Sequence, residues 1–327
     1  MKPSGIGGQA VIEGIMMKNK EMYSVAVRKP DGEIEVHLGT YRSIVKNKML
    51  RETPLIRGVV NFVDSMILGM RTLTFSASFY EEEEEPTKAE EFLDKVSKGN
   101  AEKLVTGLTV VFSIVVAIGI FMLLPYFLTN ILRNYVVSNS LLAVIEGVVR
   151  VGVFVLYVLL ISRMKDIQRV FMYHGAEHKC INCIEHGMEL TVENVMKSSK
   201  HHKRCGTSFL FIVMVVSIIF FIFINVTSPV LRVLIRLLLI PVIAGVSYEV
   251  IKLAGKSDSK FVEIISYPGM LMQRLTTKEP DEQMVEVAIA AVEAVFDWKK
   301  FENEQFGTNY ELDTKDETQT DACGVNS

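Results

Sequence analysis

Apolar positions in this chain are gathered into long runs separated by segments dense in charge. Four runs, Leu104–Leu128, Leu141–Ile161, Phe209–Val226 and Val230–Tyr248, approach the length a helix needs to cross a hydrocarbon layer, about 20 residues for about 30 Å. A short polar link, Thr129–Ser140, joins the first pair, and Thr227-Ser228-Pro229 alone joins the second, so each pair predicts a tight hairpin. Basic residues mark the cytoplasmic ends of spans. They crowd the connection between the hairpins, from Arg163 and Lys165 to Lys203 and Arg204. They also precede the first span, at Lys88, Lys95, Lys98 and Lys103, and follow the last, at Lys252, Lys256 and Lys260. The pattern predicts four spans, with both termini and the central connection in the cytoplasm.

The flanking segments read differently. Ala10–Met17 and Tyr23–Arg28 look like strands, and Pro30-Asp31-Gly32 before Glu33–Leu38 supplies the turn chemistry of a hairpin. Leu55–Ser78 is apolar but interrupted by Arg57, Asn61, Asp64 and Arg71, which suits an interfacial or domain-packed helix better than a fifth span. Glu282–Trp298 places Val285, Ile289, Val292 and Phe296 on one helical face, predicting a soluble helix packed on the cytoplasmic body.

The expected fold is therefore a polytopic α-helical membrane protein, with four transmembrane helices and a small cytoplasmic α+β domain. Residues 1–80 form a cytoplasmic β-rich domain with an interfacial helix, and 81–103 a charged linker containing the Glu81–Glu85 run. Residues 104–161 and 209–248 are the transmembrane hairpins, and 162–208 is a cytoplasmic His-rich loop. Residues 249–300 are a cytoplasmic helical segment, and 301–327 a disordered acidic tail.

Composition narrows the function classes. The 327 residues are 49% hydrophobic and 22% charged, with a mean hydropathy of +0.29. The 35 basic and 38 acidic residues leave a net charge of −3, which excludes the dominant basic surface of a nucleic-acid binder. Four cysteines without an evident N-terminal signal peptide predict reduced thiols, not a disulfide framework. Ion or metal transport would need polar residues lining the spans. Glu146 and Arg150, four apart on one helical face, read instead as a self-neutralised pair. Arg232 and Arg236 are expected to snorkel toward headgroups on the far side.

Five of the six histidines, His174, His178, His186, His201 and His202, lie in the central connection. Asp166–Lys179 reads as a helix leaving the second span, so His174 and His178 stand one turn apart on one face, a spacing that lets two imidazoles grip one metal ion. The string from His174 to His178 fits H-x-x-E-H, in which Glu177 acts as base on a water at the metal. The alternative is a surface helix whose histidines bond to neighbours or meet headgroups. A catalytic zinc needs a third protein ligand, and Glu249, Glu185 and the pair His202 and Cys205 are all candidates. Cys180-Ile-Asn-Cys183 has no second CxxC partner and reads as helix packing. His37, alone in a strand pattern, reads as structural or exposed.

Several motifs together point to a family. Gly7–Met17 (GGQAVIEGIMM), His174–Lys179 (HGAEHK), His202–Phe209 (HKRCGTSF), Tyr248-Glu249 and Gln273–Pro280 (QRLTTKEP) resemble the YqhQ-like bacterial membrane proteins, over about residues 5 to 300. The resemblance implies a multi-pass protein of the bacterial inner membrane, in a family of unassigned function described as metal-dependent enzymes. It would place His174, Glu177, His178, His202, Cys205 and Glu249 among the site residues. Lys203 stands where the family pattern has proline, which loosens the turn before Cys205. Cysteine is not required by that pattern at 180 or 183. Gln9 and Glu13, on one face of the expected first strand, are candidates to close over the same site, although neither phosphate-cradling glycine motif is present.

The leading expectation is a metal-dependent hydrolase with a divalent ion, zinc by its donors, at the cytoplasmic membrane face. His174, His178, His202 and Cys205 are the candidate ligands, and Glu177 or Glu249 the base. The rivals are a noncatalytic scaffold whose metal-stiffened loop recruits a cytoplasmic protein, and an ion or metal transporter.

Overall fold

The computed structural model describes residues 1–80, 101–136, 138–202, 205–224, 226, 228–254 and 260–312. The expected Glu81–Glu85 linker, Lys203 and the tail beyond residue 312 lie outside the described residues.

Four antiparallel strands, β1 (Gly7–Val11), β2 (Gly14–Asn19), β3 (Met22–Arg28) and β4 (Ile34–Thr40), form a meander in the order β1-β2-β3-β4. The run Ala10–Met17 is thus not one strand, as its apolar character suggested. It reverses at Ile12-Glu13, where Glu13 adopts a φ of +48°, and pairs Ala10 with Ile15. Glu13 therefore belongs to a turn and does not share a strand face with Gln9.

Residues Gly14 to Met17 of β2 are all buried because both faces of the sheet are covered. Alternate side chains leave opposite faces of a strand. Ile15 and Met17 join a core with Tyr173, Ile181, Val285 and Val292, while Met16 joins Val25, Tyr41 and Leu68 in a second. The first core is supplied by α6 (Lys165–Glu185) and α11 (Glu282–Val295), the second by α2 (Ile56–Ala77). A short α1 (Lys48–Glu52) precedes α2. Described residues beyond 300 are also folded. The helix α12 (Trp298–Phe306) packs its Trp298 ring 5.2 Å from Tyr310, so order extends past the boundary expected at 301.

The apolar helices are α3 (Ala101–Ile118), continued through a π turn into α4 (Leu124–Asn130), then α5 (Asn139–Ile161), α8 (Gly206–Ile222) and α9 (Pro229–Ala254). Among the described residues, three helical segments, Gly107–Asn134, Asn139–Ile161 and Val230–Leu253, are long and apolar enough to cross a membrane. The expected span Phe209–Val226 is shorter: α8 has only 17 residues, closing at Phe223. Arg236 does not snorkel. Both its terminal nitrogens donate to Glu146, at 2.6 and 2.8 Å, and Arg150 donates to the same carboxylate at 2.9 Å and to Ser217 at 3.0 Å. Burial between α5, α8 and α9 makes that carboxylate a better partner than a distant headgroup. A short α7 (Val192–Lys197) and a long α10 (Lys260–Thr276), packed on α8, complete the chain.

Candidate metal centre

The centre is assembled from three helices. The helix α6 begins three residues after α5, beyond an extended Met164, and its second half is buried, so the one-turn spacing of His174 and His178 becomes a fixed pair with ring centroids 4.5 Å apart. Nδ1 of His174 donates to the carbonyl of Thr276, at the end of α10, over 2.9 Å. Nδ1 of His178 donates to the carbonyl of Lys200 over 2.7 Å. A carbonyl can only accept, so each ring carries a proton on Nδ1, and Nε2 is the nitrogen left to serve as a ligand. Hydrogen bonds of this kind, made by the ring nitrogen that does not face the metal, fix tautomer and orientation in metal-binding histidines.

Cys205 supplies the third donor. It is the N-cap of α8, its sulfur accepting from the Thr207 N–H, and it lies 3.2 Å from Nε2 of His174. A helix N-terminus favours a ligand that carries negative charge. The three donor atoms all lie within 4.8 Å of one another. Ligands around a tetrahedral zinc stand roughly 3.5 Å apart, so two imidazole nitrogens and a thiolate at this separation fit a zinc-type ion after small side-chain adjustment.

The loop carrying Cys205 is held in place by Gln273 of α10, which is fully buried. Its carbonyl oxygen accepts from the His202 backbone N–H at 2.9 Å. Its amide donates to the His202 carbonyl at 2.6 Å and to Ser208 Oγ at 3.0 Å. Lys179, also buried, donates to the carbonyls of Met196 and Ser198 and pairs with Glu279. Burial works against the Glu279 charge, but bonds from Lys179 and Lys200 outweigh it and hold its pKa below the usual range. Gly175 has no room for a side chain, since a Cβ would meet the Lys278 carbonyl. That close approach lets the chain after α10 lie flat on α6.

The other expected residues are placed as follows. Glu177 is buried, with Oε2 3.5 Å from Nε2 of His178, and β1 covers it so closely that a Cβ on Gly8 would come within 2.7 Å of its Cγ. His202 turns its Nε2 to Glu185, at 3.4 Å, and does not join the ligand cluster. Glu249 accepts from the Arg57 guanidinium, with Nε at 2.6 Å from Oε1. Glu13 is paired with Arg169 and accepts from the Tyr173 hydroxyl at 3.2 Å. Burial and the adjacent Glu13 carboxylate raise the Tyr173 pKa. Gln9 packs against Gly69 and lines a cavity that also reaches Cys205. Cys180 and Cys183 are buried in the α6 core, as their reading as packing residues anticipates. Burial raises both thiols, that of Cys183 to about 12. Sequence reasoning did not single out Gln273, although it lies in the QRLTTKEP motif; nothing local ties a glutamine to a loop 71 residues away.

Among the described residues, fold and site together define a mostly helical protein with three helices suited to a membrane, a small four-stranded sheet and a His/His/Cys cluster able to hold a metal. Residues 53–298 match the family described as "Protein of unknown function (DUF1385)", and the chain belongs to that family. It is similar to the "Uncharacterized protein YqhQ" of Bacillus subtilis (strain 168), 35% identical over 288 residues, which is 88% of this chain and 91% of that protein. No solved structure matches the chain significantly.

Proposed function

We propose that this chain is a multi-pass membrane hydrolase working with a divalent metal ion, of the zinc type, held by His174, His178 and Cys205. One observation carries the reading: two histidines, each oriented through Nδ1 by a backbone carbonyl, and Cys205 bring one donor atom apiece within 4.8 Å of one another, with Nε2 of His174 3.2 Å from the sulfur. Three protein donors leave one position open, as catalytic zinc sites do and closed structural sites do not. When bound, such an ion supplies Lewis acidity and activates water near neutral pH.

The chain's own residues supply the rest. Glu177 is the proton acceptor: it is buried, lies against His178 and is kept from swinging away by the strand at Gly8. A carboxylate in that position can take a proton from an attacking water and return it to the leaving group of an ester, amide or phosphoester. Glu249 and Glu13 are each held by an arginine and are free for neither task. The basic flanks support a centre at the cytoplasmic face of the bacterial inner membrane, with both termini on that side.

Metal analysis of detergent-purified protein tests the ligands. Wild type should carry about one equivalent of metal, and the His174→Ala, Cys205→Ala double variant should lose it. Equal metal in both sinks the ligand set. Glu177→Gln should keep the metal and fail to complement a deletion strain; full complementation would favour a metal-stiffened scaffold that recruits a cytoplasmic protein.

A further inference from the structure

Beside the metal centre lies a cavity of about 570 Å³ between α2, α8 and α9, well within the size range of small-molecule sites. Its apolar wall is built by Phe62, Met66, Met70 and Leu73 of α2, spaced as one helical stripe, facing Phe209 and Leu210 of α8. The Phe62 and Phe209 rings lie 5.7 Å apart. Met66 and Met70 remain 53% and 47% exposed, a poor arrangement for a water-filled cleft and a suitable one for a chain of methylenes. Among the described residues that line it, none is charged. The polar groups are neutral: the Gln9 amide, Ser65, and Asn61, which donates to the Tyr248 hydroxyl over 2.9 Å.

Two further observations identify the occupant. One wall is α9, which is long and apolar enough to cross a membrane, and another is the apolar α8. The cavity is therefore walled in part by a helix whose apolar length suits a membrane. Cys205 belongs both to its lining and to the ligand cluster. A chain lying along α2 and α8 would bring its own polar linkage to His174, His178 and Glu177.

We infer that this cavity takes the acyl chain of a membrane lipid, and that the substrate class of the centre is an acyl ester within the bilayer, not a charged soluble molecule. The inference rests on the hydrolase reading for the reaction and on the cavity alone for binding. Hydrolysis of such an ester adds water across the acyl C–O bond. The water oxygen bonds to the acyl carbon, the alcohol oxygen leaves with a proton, and no oxidant or reductant is consumed.

The test uses full-length protein in nanodiscs carrying a trace of phosphatidylcholine with a diazirine near the end of one acyl chain, with crosslinks mapped by mass spectrometry. Labelling is expected on residues 62–73 and 209–210, saturable by a nonphotoactive acyl ester. It should fall at least about fivefold in the Met66→Trp, Met70→Trp variant, which fills the cavity, and persist in Met66→Leu, Met70→Leu. Labelling of Val111 and Phe112, exposed on α3, should not change between variants. Equal labelling of α2 and α3, indifferent to the tryptophans, overturns the lipid site even where the metal is present. Saturable α2 labelling in protein that binds no metal supports the lipid site while the hydrolase reading fails.

Discussion

The sulfur of Cys205 lies 3.2 Å from Nε2 of His174, although the two residues are 31 apart and sit on different helices. Neither approaches the other through its own helix. Gln273 ties the backbone at His202 and the side chain of Ser208 to α10, and the end of α10 in turn orients His174 through Thr276. The donor set is thus a product of how α6, α8 and α10 pack, which makes its supports testable.

Gln273→Leu removes three hydrogen bonds to the segment that carries Cys205 without touching a ligand. Metal affinity should fall roughly 10- to 100-fold, the usual effect of losing an outer-shell partner. Competition with a chelating dye reads the change. Unaltered affinity would show that the Cys205 loop holds its position without α10.

Gly175→Ala places a methyl against the Lys278 carbonyl, a backbone atom that cannot move aside without displacing the chain after α10. The expected cost is about 2 kcal/mol, with weakened metal binding, since Thr276 lies two residues before Lys278 and holds His174. Thermal unfolding in detergent, with and without added metal, measures both effects.

Glu146 is the common acceptor for Arg150 and Arg236, and all three are buried. Glu146→Ala strands two guanidinium groups between apolar helices and should cost about 3–5 kcal/mol. Adding Arg236→Met to that variant should recover part of the loss. A wild-type melting temperature for Glu146→Ala would show that water or lipid headgroups solvate the arginines.

Glu302 gives a pH dependence outside the membrane-facing helices. Burial pushes its carboxyl up to about 7; the neighbouring Tyr310 hydroxyl opposes the rise and the Glu189 charge adds to it. The folded protein therefore keeps a proton that the unfolded chain releases near its ordinary value of 4.5. Stabilisation is full below that pH, fades as pH rises toward 7 and is gone above it, a difference of about 3 kcal/mol. Glu302→Gln should remove this slope. Hydrogen exchange across residues 298–310 at pH 5 and pH 8 should show wild type losing protection at pH 8 and the variant keeping it.

Local pattern alone was enough to anticipate much of this protein. The apolar runs Leu104–Leu128, Leu141–Ile161 and Val230–Tyr248 marked the helical segments Gly107–Asn134, Asn139–Ile161 and Val230–Leu253, because span length is a property of the segment itself, although the first segment runs on into the expected polar link. The spacing of His174 and His178 placed them on one helical face for the same reason, since the geometry of a single turn needs no tertiary contact. Between them they establish a membrane-type helical chain with a candidate metal-binding helix.

What followed from packing was out of reach of pattern. Ala10–Met17 is one apolar run in sequence and two strands in space, because both faces of the sheet are covered and burial masks the reversal at Glu13. Arg57 engages Glu249 across 192 residues, and Cys205, one of several candidates, became the third donor. These choices depend on which helices come into contact. The one-turn register of a helix is set by its own backbone bonds, whereas convergence of α2, α6, α8 and α10 is set by the burial of side chains far apart in the chain.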